Sequence, residues 1–173
     1  MTNWVIQGIG FVGMFLSFIS FQRKTKKNIL LFQILSSLVY FSHFLLLGAL
    51  TGSIMNFIGA TRNAVFCQRE RKWANHPLCL YFFLAIYLVA AVWTWQDYAS
   101  LLPLVGMIAS TISFWMKKPK LIRMIMLISP PCWFAYNLIS GSLPGMFTEV
   151  FNLLSLFIAI VRFDLLQVAP EHD

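Results

Sequence analysis

The chain has 173 residues, 59% of them hydrophobic and 11% charged, with a mean hydropathy of +0.74. A soluble domain carries about 25% charged residues, so this chain lacks the polar surface to cover a globule, and disordered, collagen-like and disulfide-scaffold proteins are excluded by the same figures. The net charge of +7 would suit nucleic acid in a soluble protein; in so apolar a chain it reads as a membrane-orientation signal, and no nucleic-acid partner is expected.

A membrane helix needs about 20 predominantly apolar residues. Seven stretches qualify, so the chain reads as an all-α integral membrane protein with seven transmembrane helices. The first, 3–21, follows an N-terminus with no basic region and no cleavage pattern, and is read as a retained helix. The second and third, 28–48 and 52–68, are separated only by GALTG, a tight hairpin. The fourth, 77–95, starts at Pro77 and carries no charge. The fifth spans 99–116, and the sixth, 121–140, is interrupted near its middle by Pro130-Pro131. There a hinge and a fixed kink are both open readings. SGSLPG leads into the seventh, 144–163.

Basic and charge-poor connections alternate along this series. QRKTKK at 22–27, QRERK at 68–72 and KKPK at 117–120 fall on one side, whereas GALTG, WQDYAS and SGSLP contain no Lys or Arg. The positive-inside rule then puts the N-terminus outside and the C-terminus in the cytoplasm. Arg62, Arg123 and Arg162 lie near the basic ends of apolar runs, where snorkelling to the headgroups is expected. Trp4, Trp73, Trp93, Trp95 and Tyr98 fall at span boundaries and read as interfacial anchors. Cys67, Cys79 and Cys132 have neither disulfide nor zinc spacing and read as small core residues.

The two ends of the chain resemble each other. Tyr40 to Gly52 lies over Trp133 to Gly145 at an offset of 93, while Gly10, Ser17, Phe18 and Asn56 lie over Gly106, Ser113, Phe114 and Asn152 at an offset of 96. The unit is three helices. One helix between the copies restores chain direction, so the copies are parallel, a plan that places substrate sites near the midplane between repeats. The domains expected are a first bundle over 1–72, a linker helix over 73–97, and a second bundle with a short tail over 98–173.

Few residues in the spans carry chemistry. Glu149 lies about 8 Å into the seventh span at 1.5 Å per residue, and shares a helix face with Asn152. An acid inside a membrane usually faces an interior and serves a function; it would exchange a proton or attract a cation during transport, or else sit at the outer interface. His43 lies in the outer half of the second span. It either meets Glu149 across a cavity as a proton-responsive pair or hydrogen-bonds a neighbouring helix. Ser17, Gln33, Ser113 and Ser129 either line a path or pack between helices. The residues for a metal site or a Ser/His/Asp set are missing, so no enzyme, metal or cofactor is expected.

The three-plus-one-plus-three order resembles the SWEET sugar facilitators and the PQ-loop transporters. LLPLVGMIAST at 101–111 and CWFAYNLISGSLPGMFTE at 132–149 are closer to the bacterial inner membrane protein family YgjV. The SWEET resemblance implies that Asn56 and Asn152 face a shared cavity and touch the substrate, with Tyr40 and Trp133 capping it. Tyr136 and Asn137 are placed with that set, and Trp133 and Tyr136 as stacking or gating groups. Ser20-Phe21-Gln22 lacks the proline of the Pro-Gln pair, and Pro103, Pro130 and Pro131 occur only in the second repeat, which would concentrate bending there.

The function expected is an inner-membrane transporter of a small polar solute working by alternating access, proton- or cation-coupled through Glu149. A vitamin-precursor carrier on the plan of the nicotinamide riboside transporters is a close variant. The competing class is a non-transporting receptor or structural membrane protein, since the KDEL receptors bind peptides on a related fold. The other expected partner is the lipid bilayer, and a homo-oligomer is compatible with the plan.

Overall fold

A computed structural model describes residues 3–21, 23 and 26–165. Of the basic cluster 22–27, positions 22, 24 and 25 lie outside the described residues, as does the tail 166–173. The elements are α1 (Asn3–Phe21), α2 (Lys26–Leu46), α3 (Leu50–Phe66), α4 (Pro77–Trp93), α5 (Leu101–Trp115), α6 (Pro119–Met126), α7 (Ser129–Ile139) and α8 (Leu143–Ile160). A 3-10 turn at Tyr98–Ser100 precedes α5, and a π-helical segment, Val161–Leu165, prolongs α8. No strand occurs among the described residues. A chain that leaves water must satisfy its backbone internally, which long helices do.

Five helical segments are long and apolar enough to cross a membrane: Asn3–Ser20, Asn28–Leu46, Tyr98–Trp115, Pro119–Ile139 and Leu143–Leu165. The other two expected spans, α3 and α4, have 17 residues each, a rise of about 26 Å against a hydrocarbon core of about 30 Å. The sixth expected span is two helices. Met126 ends α6 and Ser129 starts α7, with Pro130 and Pro131 in the first turn of α7. A proline is tolerated there because first-turn N–H groups have no intrahelical partner.

The two tight hairpins close in the same way. Gly48 (φ 75°) follows α2 and Gly141 (φ 69°) follows α7, each in the left-handed region that glycine enters without a Cβ penalty. Ala49 N–H then donates to Phe44 O at 2.9 Å, and Ser142 N–H to Asn137 O at 2.9 Å. These six-residue closures lie 93 residues apart, the offset at which the sequences match.

In packing, α1 lies on α2 and α2 on α3; α5 lies on α7 and α7 on α8. The halves meet where α1 touches α8 and α3 touches α5, and α4 covers α3 and α5 with buried Phe83, Tyr87, Ala90 and Ala91. Burial is inverted relative to a soluble protein. Large hydrophobic side chains such as Phe15, Val92, Phe157 and Ile158 are exposed, while His43, Thr51, Arg62, Asn63, Thr111 and Asn137 are buried. The three cysteines are free and half-buried, outside the innermost core expected for them. The boundary aromatics Trp4, Trp93 and Tyr98 are exposed.

Candidate functional site

A cavity of about 420 Å³ lies between the two halves. Asn56 from α3 and Asn152 from α8 both line it, with Tyr40, Trp133, Asn137, Glu149 and Pro130. His43, Tyr136 and Pro131 do not. Asn56 Nδ2 donates to Gly52 O at 2.9 Å, and Asn152 Nδ2 to Glu149 Oε2 at 3.1 Å. Each amide is therefore oriented by its own helix, and its Oδ1 has no hydrogen-bond partner among the described residues. Asn137 is 1% exposed, and its Oδ1 is likewise unpartnered. Two amide oxygens, those of Asn56 and Asn152, thus offer acceptance to whatever occupies the cavity, whereas the Asn137 Oδ1 is enclosed by protein and packs against Gly145. Each hydrogen bond that an occupant donates to one of the two is worth about 0.5–1.5 kcal/mol, so an occupant rich in O–H or N–H is favoured.

One end of the cavity is tied shut. Tyr40 Oη meets Thr148 Oγ1 at 2.8 Å, joining α2 to α8. Gln7 Nε2 donates to Gly141 O at 2.7 Å, and Gln7 Oε1 accepts from Leu143 N–H at 3.2 Å. Gly52 N–H donates to Tyr136 Oη at 2.8 Å. His43 completes the belt. Ile6 O can only accept, so the Nδ1 beside it at 2.9 Å carries the hydrogen, and in the neutral ring Nε2 accepts from Ser142 Oγ at 2.8 Å. Ser142 Oγ in turn accepts from Gly145 N–H, capping α8. Both nitrogens of His43 are thus engaged with α1 and the α7–α8 turn, and the expected pairing with Glu149 is not formed.

All these ties lie at the charge-poor ends of the helices. Behind them Phe44, Trp133 and Tyr136 stand with ring centroids 5.8–5.9 Å apart. Phe44 and Trp133 line the cavity, and Tyr136 lines a smaller hollow of about 240 Å³ beyond, bordered by Gly48, Gln96 and Asp97. In the other direction the cavity lining continues through Ser17, Gln33 and Ala159, toward the basic ends of their helices.

Arg62 departs from expectation. It does not snorkel: it is 4% exposed and lines the cavity. Nε and Nη2 donate to Asn63 Oδ1 at 3.2 and 3.0 Å, and Nη1 to Ser110 Oγ and Thr111 Oγ1 at 3.0 and 2.8 Å. Both hydroxyls are turned to accept because each donates to Met107 O. The side chain is held over the Phe114 ring at 5.0 Å. Arg123, by contrast, is paired with Asp164 at 2.7 Å, and Arg162 is exposed.

Residues 4–167 match the family Imp-YgjV, described as a bacterial inner membrane protein. The chain belongs to this family. It is also 26% identical over 168 residues to inner membrane protein YgjV of Escherichia coli (strain K12), covering 92% of this chain and 85% of the relative. No solved structure matches.

Within this Imp-YgjV chain, sequence reading located the asparagines, Glu149, Tyr40 and Trp133 but missed Thr148, Ser142 and the environment of Arg62. Serine and threonine are common packing residues in membranes, and nothing local distinguishes those that bridge two halves. A signal did exist in the glycines. A Cβ on Gly52 would run into the Tyr136 ring, and one on Gly145 into the Asn137 amide. Gly52→Val is therefore expected to displace Tyr136 and lower stability by about 1–3 kcal/mol. Thermal unfolding in detergent checks this, with the exposed Gly8→Ala, which meets nothing within 4 Å, as the neutral comparison.

Proposed function

We propose that the protein carries a small polar solute across the bacterial inner membrane by alternating access. In this reading α6 and α7 form one broken span, and seven spans follow a SWEET-like three-plus-one-plus-three order, with the N-terminus outside and the C-terminus cytoplasmic. The observation that carries it is the cavity between the halves. It bears two unpartnered amide oxygens, is tied shut at the charge-poor end and continues toward the basic end. That is the arrangement of a carrier facing the cytoplasm. The matched turns after α2 and α7 support an internal repeat, and Phe44, Trp133 and Tyr136 form a thin barrier between the cavity and the outer hollow. The α6–α7 break, with Pro130 in the lining, is where the second half would bend.

Uptake into liposomes reconstituted with the purified protein tests the reading, using a panel of tritiated polyols, sugars, nucleosides and hydroxy acids. Accumulation above protein-free vesicles for at least one solute is expected; none, with or without a pH gradient, overturns it in favour of a receptor or structural role. Glu149 sits in the lining, held by Asn152, and is assigned the coupling role. Glu149→Gln is expected to leave the fold intact and abolish the response of uptake to an imposed pH gradient. A variant with the wild-type response would remove Glu149 from coupling.

A further inference from the structure

We infer that Arg62 is an anion-binding subsite of the cavity, and that the cargo is a hydroxylated organic anion whose carboxylate or phosphate docks on the guanidinium. The inference rests on the carrier reading above and narrows its substrate class. A guanidinium stays protonated in a protein, and every group that Arg62 touches is neutral: the Asn63 amide, the Ser110 and Thr111 hydroxyls, and the Phe114 ring. Among the described residues no carboxylate lies within 4.0 Å of it. Four hydrogen bonds occupy four of its five N–H donors and fix the plane of the fork. The fifth, on Nη2, remains for a ligand.

Burial among neutral groups makes an unpaired charge expensive and its neutralisation by an incoming anion correspondingly favourable. Glu149, the other charged residue of the lining, is badly placed to do this. Arg62 lies six residues after Asn56 in α3, and Glu149 three residues before Asn152 in α8. Arg62 thus stands near the basic end of α3 and Glu149 near the charge-poor end of α8, so the two charges lie toward opposite ends of the cavity. An anion drawn to Arg62 therefore sits toward the basic end. The rest of the solute reaches back to Asn56 and Asn152, whose free oxygens ask for hydroxyl donors.

Binding in dodecyl maltoside, which contributes no phosphate or carboxylate, tests this without requiring transport. Gluconate and sorbitol share a six-carbon hydroxylated chain and differ in a carboxylate at one end. Radiolabelled gluconate is expected to bind at least ten-fold more tightly than sorbitol, and sulfate to compete with it. Ser110→Asp places a carboxylate where a hydroxyl now meets Nη1, so it is expected to lower gluconate affinity at least ten-fold and erase the preference, with folding checked by thermal unfolding in the same detergent. Arg62→Gln reads the same loss should that variant fail to fold. Equal binding of the two solutes, no binding of gluconate, or a preference that survives both substitutions overturns the inference. Uptake of a neutral solute alongside such a result leaves the carrier reading standing. Gluconate binding without translocation in liposomes keeps the subsite and overturns the carrier.

Discussion

His43→Ala is expected to cost about 3–5 kcal/mol, among the largest losses of any single substitution in this chain. The side chain is fully buried and lies in a continuous hydrogen-bonded series from Gly145 N–H through Ser142 Oγ and the imidazole to Ile6 O. Truncation leaves the Ile6 carbonyl and the Ser142 hydroxyl without partners, each at about 1–3 kcal/mol. It also opens a void beneath Gly10, whose missing Cβ is what lets the ring approach α1. His43→Gln keeps one polar contact and is expected to lose about half as much. Chemical unfolding in mixed micelles gives the values, and a His43→Ala protein as stable as the wild type would show that the belt contributes little. The physical point is that His43 stabilises the closed end, a role distinct from touching solute.

Replacing the paired asparagines acts on the cavity instead. Asn56→Leu and Asn152→Leu each remove an amide oxygen that faces the site without a partner in the chain. A solute donor left unpaired in the closed cavity costs about 1–3 kcal/mol, or roughly five- to 150-fold in affinity. Each variant is therefore expected to reduce initial uptake into liposomes by at least ten-fold at sub-saturating solute. The double variant is expected to fall to background. Folding should change little, since the bonds lost are local to α3 and α8. If both single variants transport at the wild-type rate, the solute does not rest at this level and the binding layer lies elsewhere in the cavity.

Much of the layout was legible in the sequence because it follows from solvation along the chain. Apolar runs, glycine-marked turns and basic clusters respond to the bilayer one segment at a time, so the helices, both tight hairpins and the break before Pro130 could be read directly. The residues at the ends of that logic were harder. The apolar run at 52–68 gave α3 its place, yet 17 residues leave it short of a full crossing. Arg62 at its basic end looked like any snorkelling arginine, and only its neighbours distinguish it.

Composition and charge order by themselves determined a helical membrane chain with several apolar spans, and picked out Glu149 as an acid that lipid would not tolerate; the resemblance to known transporters added Asn56 and Asn152. The tertiary structure decided what those residues meet. It brought the asparagines to one cavity with Glu149, turned His43 away from the acid and into the closed end, and drew Arg62 inward onto Asn63, Ser110 and Thr111. The reason is that insertion depends on each segment's own hydrophobicity, whereas a buried polar group's role depends on the partner that another helix supplies. Such partners lie 48 to 108 residues away for Arg62–Ser110, His43–Ser142 and Tyr40–Thr148, a distance over which a single sequence carries no pairing signal.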